Sequence, residues 1–409
     1  MINVAPEFKI ALRNLRRNTK RSLVAVMTVA GGVIAFLLAG GFIAWIFQDM
    51  REATIHSQLG HIQIVRPGYF DVGISDPYAF LLPTASDAQS EIERTPGIRS
   101  LTPRLAFSGL LSLGETTIPF VGEGIDPIGE KLISSRITIM SGKNLTSDKE
   151  MGVLLGEGLA KNLGAQAGDR VVILSTASNG SPNAVEVEVK GTFATISKDF
   201  DDNALRMPIE VARKLMRVSG ATSWVALLDD TEMTAKVLKD IRKDLPAKDF
   251  QTIPWTELAD FYNKTVVLFS KQVDVVKIII GLIIILTISN TQTMSVLERT
   301  TEIGTSLALG LRSSEIMRLF LLEGALIGIF GGLLGVVFGY LLAQGISAIG
   351  IPMPPPPGMA HGYTGQILVS RSLAIDAIVL ALVTTLLASV MPAWKASRMV
   401  IVDALRCNQ

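Results

Sequence analysis

Residues 23–48 carry no charged side chain. As a helix rising 1.5 Å per residue, this run reaches about 39 Å, enough to cross a hydrocarbon core of roughly 30 Å with some tilt. It is too long for the core of a secretory signal, and Gln48-Asp-Met-Arg-Glu52 behind it is no small-residue cleavage site. It therefore reads as a first transmembrane helix. Three more apolar stretches follow: an uncharged run at 278–297, one near 316–346 and one near 373–394. Charged residues make up 18% of the chain, below the globular norm of about 25%. The predicted fold class is a membrane α-helical protein of four transmembrane helices, with a large α+β domain inserted between the first and second spans.

The basic residues orient it. Lys9, Arg13, Arg16, Arg17, Lys20 and Arg21 face a single acid, Glu7, across residues 7–21, and Phe8, Ala11, Leu12 and Leu15 form a helical stripe. The segment reads either as an amphipathic helix on an anionic surface or as plain flanking charge. Lys395, Arg398 and Arg406 mark the other end, while the 347–372 loop holds only His361 and Arg371. The positive-inside rule then places both termini in the cytoplasm and the large domain outside. The layout is a cytoplasmic helix at 1–22, span one at 23–48, the outer domain at 49–253, a stalk and span two at 254–297, and a cytoplasmic segment at 298–315. Span three is 316–346, an outer proline-rich loop 347–372, span four 373–394 and a cytoplasmic tail 395–409.

Residues 60–253 mix both charge signs with Pro, Gly, Asn and Asp, and are numerous enough for their own core. His61–Val65 alternates like a strand. Ser86-Asp-Ala-Gln89 is a capping box for a short helix stopped by Pro96-Gly97. Strands are expected at 104–113 and 116–125, a helix at 156–164, then strands Arg170–Leu174 and Val185–Lys190. Between the last two, Ser175–Ala184 has the composition of a mobile loop, with Ser178, Asn179, Gly180, Ser181 and Asn183 as residues for a partner outside the membrane; the alternative is a disordered tip. Trp224–Leu228 is a strand, and Asp229 or Asp230 opens a helix with stripe Met233, Val237, Leu238 and Ile241, stopped by Pro246; Phe250–Ile253 returns as a strand. Units near 61–107 and 224–253 read as halves of one α+β subdomain, with a β-rich insertion at about 110–222.

From Pro254 to Leu297 there is one further helix breaker, Gly281, so a single helix of about 66 Å is expected. Residues 254–277 would project as a stalk. Trp255, Leu258, Tyr262, Val266, Phe269, Val273 and Val276 step by three and four, a seam either for the end of span one near Asp49–His56 or for the outer domain.

Residues 290–324 are a charged stretch between two apolar runs. Leu297, Ile303, Leu307 and Leu309 give an apolar side at helical spacing, so a short amphipathic surface helix is expected, against the alternative of an ordinary charged loop. In span three Gly331, Gly335 and Gly339 recur at every fourth residue, a stripe for close helix packing. Glu323 near its inner end reads as a structural interface residue. Pro352-Met-Pro-Pro-Pro-Pro-Gly358 is a stiff connector.

Chemical signals are missing. Of the histidines, His361 is remote from His56 and His61, no Cys/His/Asp ligand set accompanies them, and Cys407 is the single cysteine. No G-x-x-x-x-G-K-[ST] or G-x-S-x-G motif occurs. No catalytic, cofactor or metal residue is predicted, and a net charge of +1 gives no reason to expect nucleic acid.

Several stretches resemble the FtsX/MacB/LolC-LolE group of ABC-transporter permeases. They are Glu298-Arg-Thr-Thr-Glu-Ile-Gly304, Ala308-Leu-Gly310, Phe320-Leu-Leu-Glu-Gly324, Gly331-Gly-Leu-Leu-Gly335 and Pro392-Ala-Trp-Lys-Ala-Ser-Arg398 with Asp403-Ala-Leu-Arg406. Ala11-Leu-Arg-Asn-Leu-Arg-Arg17 and Gly60-His-Ile-Gln-Ile64 extend the likeness to the N-terminal end. The resemblance implies a non-catalytic permease of the bacterial inner membrane with a periplasmic domain in two parts. It implies cytoplasmic ABC ATPase subunits, holding the ATP and Mg, docked at Glu298, Arg299, Thr301, Glu302, Ile303, Gly304, Leu309 and Gly310. It also implies a second permease subunit (homodimer or heterodimer), membrane lipid and a periplasmic carrier or adaptor. The layout resembles the lipoprotein-releasing permeases, with extraction of lipoprotein or lipid toward the outer envelope expected. The alternatives are an FtsX-like regulator of a periplasmic enzyme and a MacB-like efflux component. A secondary transporter fits less well, since coupling charges and inverted repeats are not visible.

Overall fold

The apolar runs and the charged middle fold very differently. A computed structural model describes residues 4–73, 76–84, 86–354 and 362–401. Within that range α1 (Val4–Arg17) is the basic segment and α2 (Thr19–Thr54) carries the first apolar run, followed by a π turn at Ile55–Leu59. Then come β1 (Ile62–Val65), α3 (Asp87–Glu93), β2 (Ile98–Leu113), β3 (Thr116–Ile125), α4 (Glu130–Ile133), β4 (Thr138–Gly142), β5 (Gly152–Gly156) and α5 (Glu157–Leu163). β6 (Arg170–Thr176), β7 (Pro182–Ala194), α6 (Lys198–Asp201), β8 (Ala204–Pro208), α7 (Ile209–Met216), β9 (Ser223–Leu228), α8 (Thr234–Asp244) and β10 (Gln251–Pro254) complete the folded middle. The chain continues as α9 (Trp255–Leu258), α10 (Asp260–Glu298), α11 (Thr300–Ala308), α12 (Ser313–Ile349), β11 (Ile351–Met353), β12 (Tyr363–Gly365) and α13 (Arg371–Ser397). Of the proline-rich segment, Pro355–Gly358 and His361 lie outside the described residues, as do Asp403–Arg406 and Cys407.

The chain divides into two units: Met1–Phe47, Val266–Pro352 and Thr364–Gln409 form one, and Gln48–Thr265 with Met353–Tyr363 the other. In the first, α2, α10, α12 and α13 are the described helices long and apolar enough to cross a membrane. Their packing follows from small residues. A Cβ added at Gly331, Gly335 or Gly339 would meet Val29, Val33 or Leu37 of α2 at 2.6, 2.5 or 2.9 Å. On an adjacent stripe, Gly324 and Gly328 lie against Ser389 and Thr385 of α13. One helix therefore uses two glycine rows to approach two neighbours, the close contact that drives association where lipid removes the hydrophobic effect. Thr385 and Ser389 spend their hydroxyls on carbonyls one turn back, Ala381 O at 2.9 Å and Thr385 O at 2.6 Å, so neither leaves a bare polar group in the bundle.

In the second unit a sheet runs in the order β10-β1-β9-β2-β3-β8-β5-β7-β4, with β6 paired to both β2 and β7. One core gathers Ile62, Ile64, Trp224, Ala226, Val237 and Ile241; another gathers Leu105, Phe107, Val153, Leu155, Val171 and Leu205. β2 is long enough to serve both: Ile98–Arg104 pairs with β9 and Arg104–Leu113 with β3. The boundary between the expected subdomains thus falls inside one strand, and the sheet is continuous across it. Ser86 Oγ caps α3 by accepting from Gln89 N at 3.2 Å, and Asp230 Oδ1 accepts from Glu232 N ahead of α8.

Two expectations are corrected. The helix from residue 254 is not continuous. Pro254 is paired with Ile62 in the sheet, Trp255–Leu258 makes a single turn, and Ala259 (φ −86°, ψ 61°) breaks it. The cause is packing: Trp255 and Ala259 are buried with Ile55, Val225 and Leu227, and the Trp255 ring meets Tyr262 edge-on at 5.2 Å. The expected seam therefore divides, Trp255 and Tyr262 serving the folded domain while Phe269 meets Phe47 edge-on at 6.5 Å. Second, Ser175–Ala184 is no mobile loop. Ser175↔Asn183 and Thr176↔Pro182 are ladder pairs, leaving a tight turn at 177–181. That turn is tied to the end of α7: Ser178 N donates to Met216 O at 3.0 Å, Ser178 Oγ to Arg217 O at 3.2 Å, and Asn183 Nδ2 to Leu215 O at 2.7 Å. A helix end leaves carbonyls without partners, and the polar side chains read as loop composition supply them.

Candidate functional site

α11 is short because both its ends are set locally. Arg299 (φ −102°, ψ 13°) interrupts the helix that ends at Glu298, and Gly310 at φ +96° turns the chain toward α12, a conformation strained for any residue with a Cβ. The apolar side expected here from Leu297, Ile303, Leu307 and Leu309 does not form one face. Ile303 is buried among Val296, Ile316, Phe320, Ala393 and Ala396, with Leu307 against them. Leu297, before the break, and Leu309, past the last turn, are 61% and 80% exposed. Gly304 is buried and Thr301 half-buried, its carbonyl accepting from Thr305 Oγ1 at 2.6 Å.

The charges around α11 are already engaged within the chain. Arg17 Nη2 donates to both oxygens of Glu302, at 2.8 and 2.6 Å, and Arg21 grips Glu298 with two nitrogens. Arg299 Nε lies 3.4 Å from Glu302 Oε2. Its Nη1 lies 3.0 Å from Glu323 Oε1, which also accepts from Asn14 Nδ2 at 2.7 Å. The guanidinium of Arg299 stands 5.5 Å over the Phe320 ring. The hydrogen bond from Arg17 holds the Glu302 carboxyl below the usual carboxylate range, and the same bond raises Arg17. Glu298 and Glu302 thus point toward α1 and α2 rather than outward. Asn14, Arg17, Arg21 and Glu323 belong to the site and were not selected from the sequence as part of it. A signal existed: Arg17 and Arg21 are four apart, as are Glu298 and Glu302, so two helical stripes of opposite charge match.

The remaining predicted residues fall elsewhere. Gly331, Gly335 and Gly339 face α2 of the same chain. Asn179 and Gly180 are exposed and Ser181 half-buried at the turn tied to α7, with Ser181 Oγ donating to Asn179 Oδ1 at 2.6 Å. Two of the three histidines, distant from a ligand pattern in sequence, meet: the His56 and His61 rings lie edge-on at 5.8 Å. His61 Nδ1 accepts from Leu228 N at 3.1 Å, so its Nε2 is assigned the proton and donates to Thr231 Oγ1 at 3.0 Å. Burial pushes His61 down to about 4.

A buried ionic group also escaped the sequence. Arg104 bonds Glu130, and Arg206 Nε donates to Glu123 Oε2 at 2.8 Å, with Arg104 Nη1 3.7 Å from Glu123. Both arginines also hold the turn after α2: Arg104 donates to Gln58 O and Arg206 Nη2 to Ser57 O at 2.9 Å. Nothing in the local pattern of β2 or β8 announces a charge facing inward.

Comparison with known proteins matches both halves. Residues 22–244 match the model of the MacB-like periplasmic core domain, and residues 275–401 the FtsX-like permease C-terminal model. The lipoprotein-releasing system transmembrane protein LolC of Xylella fastidiosa is 28% identical over 333 residues, covering 76% of this chain and 78% of that protein. The macrolide export ATP-binding/permease protein MacB of Rhodospirillum rubrum is 28% identical over 413 residues, covering 97% of this chain and 59% of that protein. The crystal structure of the periplasmic region of MacB from Actinobacillus actinomycetemcomitans aligns at 16% identity over 50% of this chain and 93% of its own, with a TM-score of 0.36. The chain is a member of the FtsX-like and MacB-like family of ABC transporter permeases.

Proposed function

We propose that this chain is the membrane subunit of a transporter in which a separate cytoplasmic ABC ATPase drives motion of the periplasmic domain, extracting lipoprotein or lipid from the inner membrane toward the outer envelope. The observation that carries the reading is α11, a short helix between two apolar helices, braced by Arg17 and Arg299 through Glu302 and offering an exposed Leu309. A rigid, partly apolar projection at the membrane surface suits docking of a partner. ATP and Mg belong to that partner, both termini lie in the cytoplasm, and a second permease subunit and a periplasmic carrier or adaptor complete the assembly. Lipoprotein is favoured as cargo by the LolC relative, matched over 78% of its length. A MacB-like efflux role is the second reading, favoured by a MacB relative that aligns with 97% of this chain.

Mass spectrometry of what co-purifies from membranes tests the assignment. An ATPase together with acylated protein is the expected result. An ATPase with a periplasmic adaptor and no lipoprotein favours efflux, a cell-wall hydrolase favours a regulator, and recovery without any ATPase overturns the proposal.

A further inference from the structure

The six basic residues of 7–21 do not behave alike. Arg17 and Arg21 turn to Glu302 and Glu298. Arg16 and Lys20, also four apart, are exposed and bond no acid among the described residues. They stand instead at the rim of a trough of about 600 Å³, whose floor is apolar: Leu12 of α1, Leu23 of α2, and Phe330 and Leu334 of α12. Those four side chains are between 39% and 60% exposed, a contiguous apolar surface with none of the described residues covering it.

We propose that this trough holds an anionic phospholipid, its acyl chain lying along Leu12, Leu23, Phe330 and Leu334 and its phosphate between Arg16 and Lys20. The chemistry fits on three counts. The trough lies where a basic amphipathic helix meets two membrane-crossing helices, the depth at which a headgroup gives way to acyl chain. Its volume falls in the range of ordinary ligand clefts, about 300–1,000 Å³. Among the described residues its only charges are two cations at the rim, with no acid to compete, and long cationic side chains lie along apolar surface while their heads reach a phosphate. A partner helix would bury the apolar floor equally well but would leave Arg16 and Lys20 without counter-charge. A zwitterionic lipid satisfies the floor and returns less to the cations.

Occupancy would brace the α1–α2 corner through Arg16 and Lys20 rather than through the Arg17 and Arg21 pairs with Glu302 and Glu298, so the inference deepens the coupling proposal by adding lipid as a determinant of the position of α1. It rests on that proposal only for its meaning. Its test needs neither ATPase nor cargo, so either can fail without the other.

The full chain, purified in detergent, is offered equal phosphatidylglycerol and phosphatidylcholine of identical acyl chains and read by native mass spectrometry. Phosphatidylglycerol should be retained preferentially. At roughly fivefold per cation, R16Q/K20Q should lower the preference by about thirtyfold. L334W, which fills the trough, should lower retention of both lipids, as should L23W from the other wall; thermal melts establish that each variant is folded. K9Q/R13Q removes two charges from the same segment away from the trough and should leave the preference nearly intact. If it matches R16Q/K20Q, the charge of the helix at large is responsible and the site is refuted. Equal retention of the two lipids by the wild type, or undiminished retention by folded L334W and L23W, refutes it also. A lipid-free dimer that L334W dissociates assigns the trough to a second copy of the chain instead.

Discussion

Arg299 Nη1 and Glu323 Oε1 lie 3.0 Å apart, an ion pair whose side chains are 11% and 8% exposed. It joins the residue that separates α10 from α11 to the N-terminal third of α12, and Asn14 of α1 donates to the same carboxylate oxygen. One acid thus gathers three segments that are distant in sequence. Enclosed ion pairs contribute little net stability, but losing one partner strands the other charge.

E323A should therefore destabilise the purified chain by about 3–5 kcal/mol, because Arg299 is left without its counter-charge in an enclosed site. E323A/R299M should recover most of the loss. Thermal unfolding in detergent reads both, and an unchanged midpoint for E323A would show that the pair holds nothing.

The exposed tip of α11 separates docking from folding. L309D places a charge on a side chain that is 80% exposed, so its unfolding midpoint should stay at wild type while pull-down of the ATPase is lost. E302K should also weaken coupling, but by repelling Arg17 and loosening α1. If that is its route, E302R/R17E restores coupling; failure of the swap with normal folding would mean Glu302 meets the ATPase directly.

Gly335→Leu should break the bundle. Even its Cβ would sit 2.5 Å from Val33, against backbone at 2.9 Å, whereas Gly345 has nothing within 4 Å. Overpacking costs about 1–3 kcal/mol, and more where backbone blocks the way. G345L should be close to neutral. Equal yields of monodisperse G335L and G345L would contradict the packing of α12 on α2.

His61 should make the folded domain acid-sensitive. The folded ring takes its proton near pH 4, against 6.5 for an unperturbed ring, so acid favours the unfolded chain. The stabilisation is complete above about pH 6.5 and lost progressively toward pH 4, at most about 3 kcal/mol. Asp201, whose carboxyl burial raises to about 6, works in the opposite sense, binding its proton more readily when folded. Comparing wild type with H61N across pH 4–7 isolates the ring. A parallel pair of stability curves would remove His61 as the cause.

Much of this architecture was legible from residues alone, for identifiable reasons. The absence of charge over 23–48 and the fourfold spacing of Gly331, Gly335 and Gly339 are local properties, and both apolar length and stripe appear in α2 and α12. The break at Ala259 was not legible, since alanine is the best helix former and the break comes from Trp255 docking among Ile55, Val225 and Leu227, all distant in sequence. Likewise, Asn179-Gly180-Ser181-Pro182 announces a turn, but only the open carbonyls at the end of α7 make the neighbouring Ser178 and Asn183 its anchors. For α11 the short helix was legible and the facing of its charges was not: Glu298 and Glu302 look like an outward charge display until Arg17 and Arg21 are placed beside them.

The two arginines that hold Ser57 and Gln58 carry a mechanical consequence. A turn whose carbonyls are free in water can unwind and absorb displacement, like a slack link. Here Gln58 O is held from β2 by Arg104 and Ser57 O from β8 by Arg206, and the arginines are themselves tethered through Glu123 and Glu130. Tension on this turn must be borne by strands in the middle of the sheet, because the joint that could have yielded has been made stiff.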